Sequence, residues 1–357
     1  MALATNNRVV ILDRRFNPEG TGYREVFTDP AAMLTTQLRW QYVTRMRHHV
    51  FSDQDTGLPE TWRVAPHFQN CHEAASFGCP VVYRDGELPD TEPAFGGARK
   101  EAVFDVDIER PLDGPFLRRA VEMTHRMREL AARSVFLGRP IAVDPYLAAG
   151  TDGPLTVSMN LRGPEILTDL SDDPGYAARL FDFVVRAAVL RGRALRDYWG
   201  APEGPGEAVG LADDSIALLG AQRYAAQVLP AHRLWFRERD PAGARRRTIH
   251  LCGDAQRHFP LIARELGVTA FDTGFPVDFR RLREELGPGT EITGGVEVGL
   301  LLNASPAQVY RRAREILSSG ILAGGRFSLH EANNLPPGAP WPNLAAMYKA
   351  SFDAGMG

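Results

Sequence analysis

The stretch Thr248-Ile249-His250-Leu251-Cys252-Gly253 reads as a short buried strand that ends in ligand-type side chains. His250 and Cys252 are two residues apart, so on an extended chain both point to the same face. That face offers an imidazole nitrogen and a sulfur, and zinc accepts both. Asp254 follows at a helix N-cap position, and a helix is expected over Ala255–Leu266, stopped by Gly267. A strand ending in ligands, then a tight turn into a helix, is how sites are built on α/β barrels. Taken alone, the pair also fits a hydrogen-bonded core histidine beside a cysteine used as a small apolar residue.

The segments that follow repeat the same unit. Strand Ala270–Asp272 leads to helix Asp278–Leu286, and strand Glu291–Thr293 leads through Gly294-Gly295 to a helix capped by Ser305-Pro306. Strand Arg326–Leu329 runs into His330-Glu331, and Asn343–Phe352 closes as a helix. Earlier in the chain, strands are expected at Pro140–Val143, Leu155–Met159 and Ala208–Ala212. Helices are expected over Phe116–Leu137, from Asp173-Pro174 to about Tyr198, and from Gln222 past Pro230 to about Arg237. Strand–helix alternation with short connections argues for parallel strands, and about eight such units make a TIM (β/α)8 barrel the expected fold. A doubly wound open sheet is the alternative. Gly294-Gly295 is too sparse for a dinucleotide-binding loop.

Residues 1–113 read as an irregular N-terminal extension packed on a barrel formed by 114–357. Within it, a strand is expected at Arg8–Leu12. A helix starts at Asp29-Pro30 and carries Leu38, Tyr42, Met46 and Val50 at four-residue spacing to about His49. Residues 51–66 read as loop. Cys71-His72-Glu73 is chemically rich, but seven residues separate Cys71 from Cys79, which matches no common zinc spacing. The segment therefore reads as a helix ending at Gly78 before a strand at Pro80–Tyr83. Residues 84–113 read as a long surface excursion.

The 357 residues are 44% hydrophobic and 24% charged, ordinary for a soluble globular protein. A net charge of −3 gives no electrostatic case for nucleic acid or an anionic membrane. No apolar run reaches the length of a membrane span, and Met1–Val10 lacks the pattern of a signal peptide. Three cysteines do not make a disulfide framework, so a cytoplasmic protein with free thiols is expected.

In a TIM barrel the C-terminal strand ends face one common site. The expected strand ends carry Asn160 and Arg162, then Asp213 and Asp214, then His250 and Cys252, then Asp272, Glu297, and finally His330 and Glu331. A catalytic zinc needs three protein ligands and one open position. His250 and Cys252 supply two, and the third is expected from Glu331, or else His330, because adjacent strand residues face opposite ways. Asp213 and Asp214 are candidate catalytic residues, Asp214 serving equally well as a helix cap. Asn160, Arg162, Asp272 and Glu297 are candidate substrate-binding residues.

From about Leu155 onward the chain resembles the uroporphyrinogen decarboxylase superfamily. The matching stretches are Arg162-Gly163-Pro164 with Asp173-Pro174, Leu211-Ala212-Asp213-Asp214-Ser215, His250-Leu251-Cys252-Gly253-Asp254, Gly294-Gly295-Val296-Glu297 and Pro337–Asn343. The resemblance implies a TIM barrel. It also implies one of two activities: cofactor-free decarboxylation of a porphyrin-like or other carboxylate substrate, or transfer of a methyl group between a corrinoid and a thiol. Arg14-Arg15 is the one stretch similar to the decarboxylases' Arg-rich loop, and its surroundings do not match theirs. The His-x-Cys-Gly strand end is similar to that of the methyltransferases, in which it binds zinc. Carried over, His250 and Cys252 become zinc ligands. The methyltransferases' third ligand is a cysteine near the last strand, where this chain has His330, Glu331 and Asn333. The leading expectation is a zinc-dependent methyltransferase working with a corrinoid protein or free methylcobalamin and a small-molecule acceptor, with assembly as a homodimer left open. A non-catalytic barrel is the third reading, and it expects no metal.

Overall fold

The structure is a computed structural model that describes residues 11–14, 17–43, 45, 57–148, 152–204 and 206–355. Ten strands are described: β1 Trp62–Val64, β2 Val81–Val82, β3 Asp90–Thr91, β4 Val135–Phe136, β5 Arg139–Val143, β6 Val209–Ala212, β7 Arg247–Leu251, β8 Ala270–Thr273, β9 Glu291–Val296 and β10 Phe327–Glu331. Strands β6 to β10 form one parallel arc in chain order, with helices between them on its outer side. Asp152 bridges to Ala212 beside β6, and β1 pairs in parallel with β5. This is the barrel arrangement that strand–helix alternation predicts.

Register explains the alternation of side chains along each strand. Leu211, Ile249, Phe271, Ile292 and Phe327 form one row across the arc, and all five are buried. They lie in the main apolar core with residues of the surrounding helices, such as Phe259, Leu282 and Val309. Burying each of these large side chains contributes roughly 1.5–3 kcal/mol. The neighbouring rows are Gly210–Thr248–Ala270–Glu291 and Ala212–His250–Asp272–Thr293–Ser328. These side chains are small or polar and face the opposite way. They leave a hollow of about 460 Å³ lined by Gly210, Ala212, Thr248, His250, Ala270 and Asp272 among others. Barrel interiors are usually filled by bulky aliphatic residues, so the small residues here keep space beneath His250.

A second apolar cluster joins N-terminal residues such as Phe27, Trp62 and Phe68 to the helix Pro115–Ala131. Phe68 is its hub, with edge-on rings of Phe27, Phe116 and Tyr146 at 5.3–5.4 Å. The helix Pro115–Ala131 thus packs with the elements before residue 113 as well as with β5.

Most expected elements are present within a few residues. Asp29 caps the helix Pro30–Tyr42, and Asp173 caps the long helix Pro174–Trp199. The expected extension of the first helix through Met46 to His49, and most of a strand at Arg8–Leu12, lie outside the described residues, as do Val50 and Arg15; Ile11 and Leu12 are helical. Four expectations need correction. Trp62–Val64 is a strand rather than loop. The helix expected to reach Leu137 ends at Ala131, because Leu137 and Gly138 take positive φ and turn β4 back on β5. Asp254 caps no α-helix: a 3-10 turn at Gln256–His258 intervenes before the helix Phe259–Leu266. Leu155–Met159 is not a strand but part of the helix Pro154–Arg162. Its Leu-Thr-Val-Ser-Met pattern alternates, but Pro154 starts a helix well, and the Asp213 carboxylate accepts the free N–H groups of Leu155 and Thr156 at 3.2 and 2.8 Å.

Candidate functional site

The Ala212–His250–Asp272 row places the chemistry at the strand ends. His250 Nδ1 lies 2.7 Å from Asp272 Oδ2, and its Nε2 lies 2.9 Å from Cys252 Sγ. The Cys252 N–H donates to Asp214 Oδ1 at 2.6 Å, and the Asn333 side-chain amide donates to Cys252 Sγ at 3.1 Å. One ligand atom each from Asp214, His250 and Cys252 fall within 4.8 Å of one another. Burial works against a charged His250, but hydrogen bonds to Asp272 and Cys252 outweigh it and push the imidazole up to about 11. Burial also pushes the Cys252 thiol up, against the pull of His250. A divalent cation would reverse that by favouring thiolate and neutral imidazole.

The loop after β8 closes tightly on this cluster. Gly274 donates its N–H to Leu251 O at 2.9 Å, and a Cβ at Gly274 would meet Cys252 Cα at 2.7 Å. Only glycine allows the two backbones this approach.

The structure separates Asp213 from Asp214. Asp213 is fully buried and contributes no ligand atom to the cluster. Besides capping the helix Pro154–Arg162, it accepts from Thr156 Oγ1 and from His232 Nε2, each at 2.8 Å. His232 in turn meets the Tyr224 hydroxyl at 3.1 Å. A Cβ at Gly153 would overlap Asp213, so the capping segment is fitted to the carboxylate. Asp213 therefore anchors two elements, and Asp214 is the aspartate at the site.

The last strand also resolves differently from expectation. Glu331 pairs in register with Val296 and His330 with Gly295. Glu331 thus shares the helix-facing side of β10 with Phe327 and Leu329, while His330 lies on the inner side with Ser328. Among the described residues, neither Glu331 nor His330 places a ligand atom within the Asp214–His250–Cys252 group. Asn333, two residues beyond the strand, reaches the sulfur instead.

Other expected binding residues are committed elsewhere. Arg162 lies on a helix, 7% exposed, bonded to Asp169 and Glu165 at 2.5 Å and to the carbonyl oxygens of Phe95 and Gly97. Asn160 is on the same helix, with its carbonyl oxygen 3.9 Å from Cys79 Sγ. Glu297 chelates the Arg312 guanidinium. Asp272 is at the site, bonded to His250.

Sequence reasoning passed over a second group. Glu73 accepts from Arg191 and from the Asp152 N–H, both at 2.7 Å, in a fully buried setting. Burial pushes the Asp152 carboxyl up, reinforced by Glu73, Asp214 and Asp213, and His250 opposes the rise. Asp152 thus lies within electrostatic reach of the cluster. The chemically rich Cys71-His72-Glu73 was the signal for Glu73, while nothing in the local sequence marks Asp152.

The sequence profile of the uroporphyrinogen decarboxylase family, URO-D, matches residues 68–352, which span β2 to β10. The chain belongs to the uroporphyrinogen decarboxylase family. Among curated proteins this URO-D chain is similar to the methylated-thiol–coenzyme M methyltransferase of Methanosarcina mazei, 28% identical over 293 residues, covering 80% of this chain and 71% of that protein. Among solved structures it resembles a methyltransferase from Methanosarcina mazei, with a TM-score of 0.64 and 16% identity over 99% of this chain and 93% of that one. That likeness establishes the shared fold, and the URO-D fold is a TIM barrel. No helix among the described residues is long and apolar enough to cross a membrane.

Proposed function

We propose that this URO-D chain is a zinc-dependent methyltransferase that moves a methyl group between a corrinoid and a thiol or similar acceptor. The observation that carries this reading is the convergence of Asp214, His250 and Cys252 within 4.8 Å at the mouth of the barrel. Its donor set of oxygen, nitrogen and sulfur suits zinc, and three protein ligands leave a fourth position open. The Asp272–His250 hydrogen bond supports it further, because metal-bound histidines commonly donate their second ring nitrogen to a carboxylate. Similarity to a methylated-thiol–coenzyme M methyltransferase supports methyl transfer over decarboxylation.

In this reading His250, Cys252 and Asp214 hold the metal. Asp272 fixes the imidazole so that Nε2 faces inward, and the Asn333 amide keeps Cys252 Sγ oriented. Zinc, when bound, would lower the pKa of an acceptor thiol so that it is a thiolate at neutral pH. A corrinoid, free or carried by a protein, would supply the methyl group. The three free cysteines accord with a reducing, cytoplasmic setting.

Elemental analysis of the purified chain tests the reading together with Asp214→Asn, Cys252→Ala and Glu331→Gln. About one zinc per chain is expected in wild type and in Glu331→Gln, with loss in the other two. Methyl transfer from methylcobalamin to a thiol should follow the same order. Absence of zinc after reconstitution would overturn the reading and leave decarboxylation or a non-catalytic barrel, and loss of zinc in Glu331→Gln alone would overturn the ligand set.

A further inference from the structure

A cavity of about 1030 Å³ lies outside the barrel hollow, between the segment 75–83, the segment 106–119 and the helix Pro174–Trp199. That is ample for a small organic molecule. Much of its wall is apolar, from Phe77, Val81, Val106, Ile108, Phe116 and Leu117. Its charged groups are unevenly paired. Arg110 is answered by Asp107 at 2.7 Å and by Asp113. Arg24 and Arg119 also line the cavity, and among the described residues neither forms an ion pair with a carboxylate. Arg24 stacks on the Tyr83 ring at 5.0 Å, and both guanidiniums lie within electrostatic reach of the Tyr83 phenol. Arg191, 3% exposed, also lines the cavity, and its Nε has no hydrogen-bond partner. An apolar chamber with two spare guanidiniums, a phenol and an unsatisfied buried donor is complementary to an anion on an apolar body.

We infer that this cavity is a binding site for an amphipathic organic anion, a carboxylate or sulfonate on an aromatic or branched apolar body, held by Arg24, Arg119 and Tyr83. The site is distinct from the Asp214–His250–Cys252 cluster but mechanically joined to it. Arg191 in its wall bonds Glu73, and Glu73 bonds the Asp152 backbone beside the cluster. An occupant that draws on Arg191 changes what Glu73 and Asp152 hold. The inference does not rest on the methyltransferase reading, since it requires neither metal nor corrinoid.

The test uses the full chain, as purified and after chelation of metal, with 8-anilinonaphthalene-1-sulfonate as probe and the uncharged N-phenyl-1-naphthylamine as its control. One saturable site per chain is expected for the anion, with the uncharged compound at least about tenfold weaker. The Arg24→Ala/Arg119→Ala variant replaces two exposed residues and should keep the wild-type melting temperature while weakening the anion at least about tenfold. In wild type, raising salt from about 0.05 to about 0.5 M should weaken the anion and leave the uncharged compound unchanged. Equal affinity for the two compounds, anion binding indifferent to salt, or full binding by a folded double variant would each overturn the inference.

Discussion

Asp272 and His250 face each other in register on neighbouring strands, with the carboxylate oxygen 2.7 Å from Nδ1. This contact fixes the ring so that Nε2 is the nitrogen turned to Cys252. Replacing Asp272 with alanine is expected to weaken zinc binding about 10- to 100-fold, read by competition with a chromophoric chelator. The melting temperature of the metal-free chain should change little, because Asp272 is partly exposed. Unchanged zinc affinity would remove Asp272 from this role.

Asn333 approaches Cys252 Sγ from the end of the last strand, in the region where the resemblance implies a cysteine ligand. Asn333→Cys should therefore add a second sulfur to the site. In cobalt-substituted protein, the thiolate-to-metal charge-transfer absorption is expected to rise about twofold with tighter metal binding. An unchanged spectrum would mean that residue 333 does not reach the metal.

Arg162 was expected to bind substrate and instead closes a buried ion pair with Asp169. Asp169→Ala leaves the buried guanidinium with Glu165 as its remaining carboxylate partner and its Nε–H unsatisfied, and is expected to cost about 1–3 kcal/mol of unfolding free energy in denaturant titrations. Zinc stoichiometry should remain that of the wild type. A loss of zinc without loss of stability would restore Arg162 to the site.

His258 gives the chain an acid weakness. It is fully buried with Nε2 3.0 Å from Ile216 O, and burial, aided by Arg257, lowers its pKa to about 4. The unfolded chain binds this proton near pH 6.5, so between about 6.5 and 4 the unfolded state carries more protons. Stability from this group is whole above that window and is lost as pH falls through it, by up to ~3 kcal/mol. His258→Gln should flatten the decline of melting temperature between pH 6.5 and 4. A decline as steep as in wild type would assign the acid sensitivity elsewhere.

The barrel and the approach of His250 to Cys252 were legible because strand–helix alternation and a two-residue spacing are local. Helix caps such as Asp29 and Asp173 were legible for the same reason. Asp213 was not separable from Asp214 in the sequence, since which one faces inward depends on His232 and on the segment at Gly153, both distant in the chain. The helix Pro154–Arg162 was hidden because its N–H groups are satisfied by Asp213, about 58 residues away in sequence. Asn333 and Asp152 carry no motif, and only the fold brings Asn333 to the Cys252 sulfur and Asp152 beside β6.

The pairing of β10 with β9 has an evolutionary corollary. His330 and Glu331 are adjacent, and the inward member of the pair is chosen by hydrogen-bond phase rather than by composition. A one-residue deletion in the turn between Ser319 and Arg326 that slid β10 by one position would exchange the two, presenting a carboxylate to the lumen in place of an imidazole. Length variation in a surface turn can therefore change which side chains a barrel presents to its lumen without a single substitution.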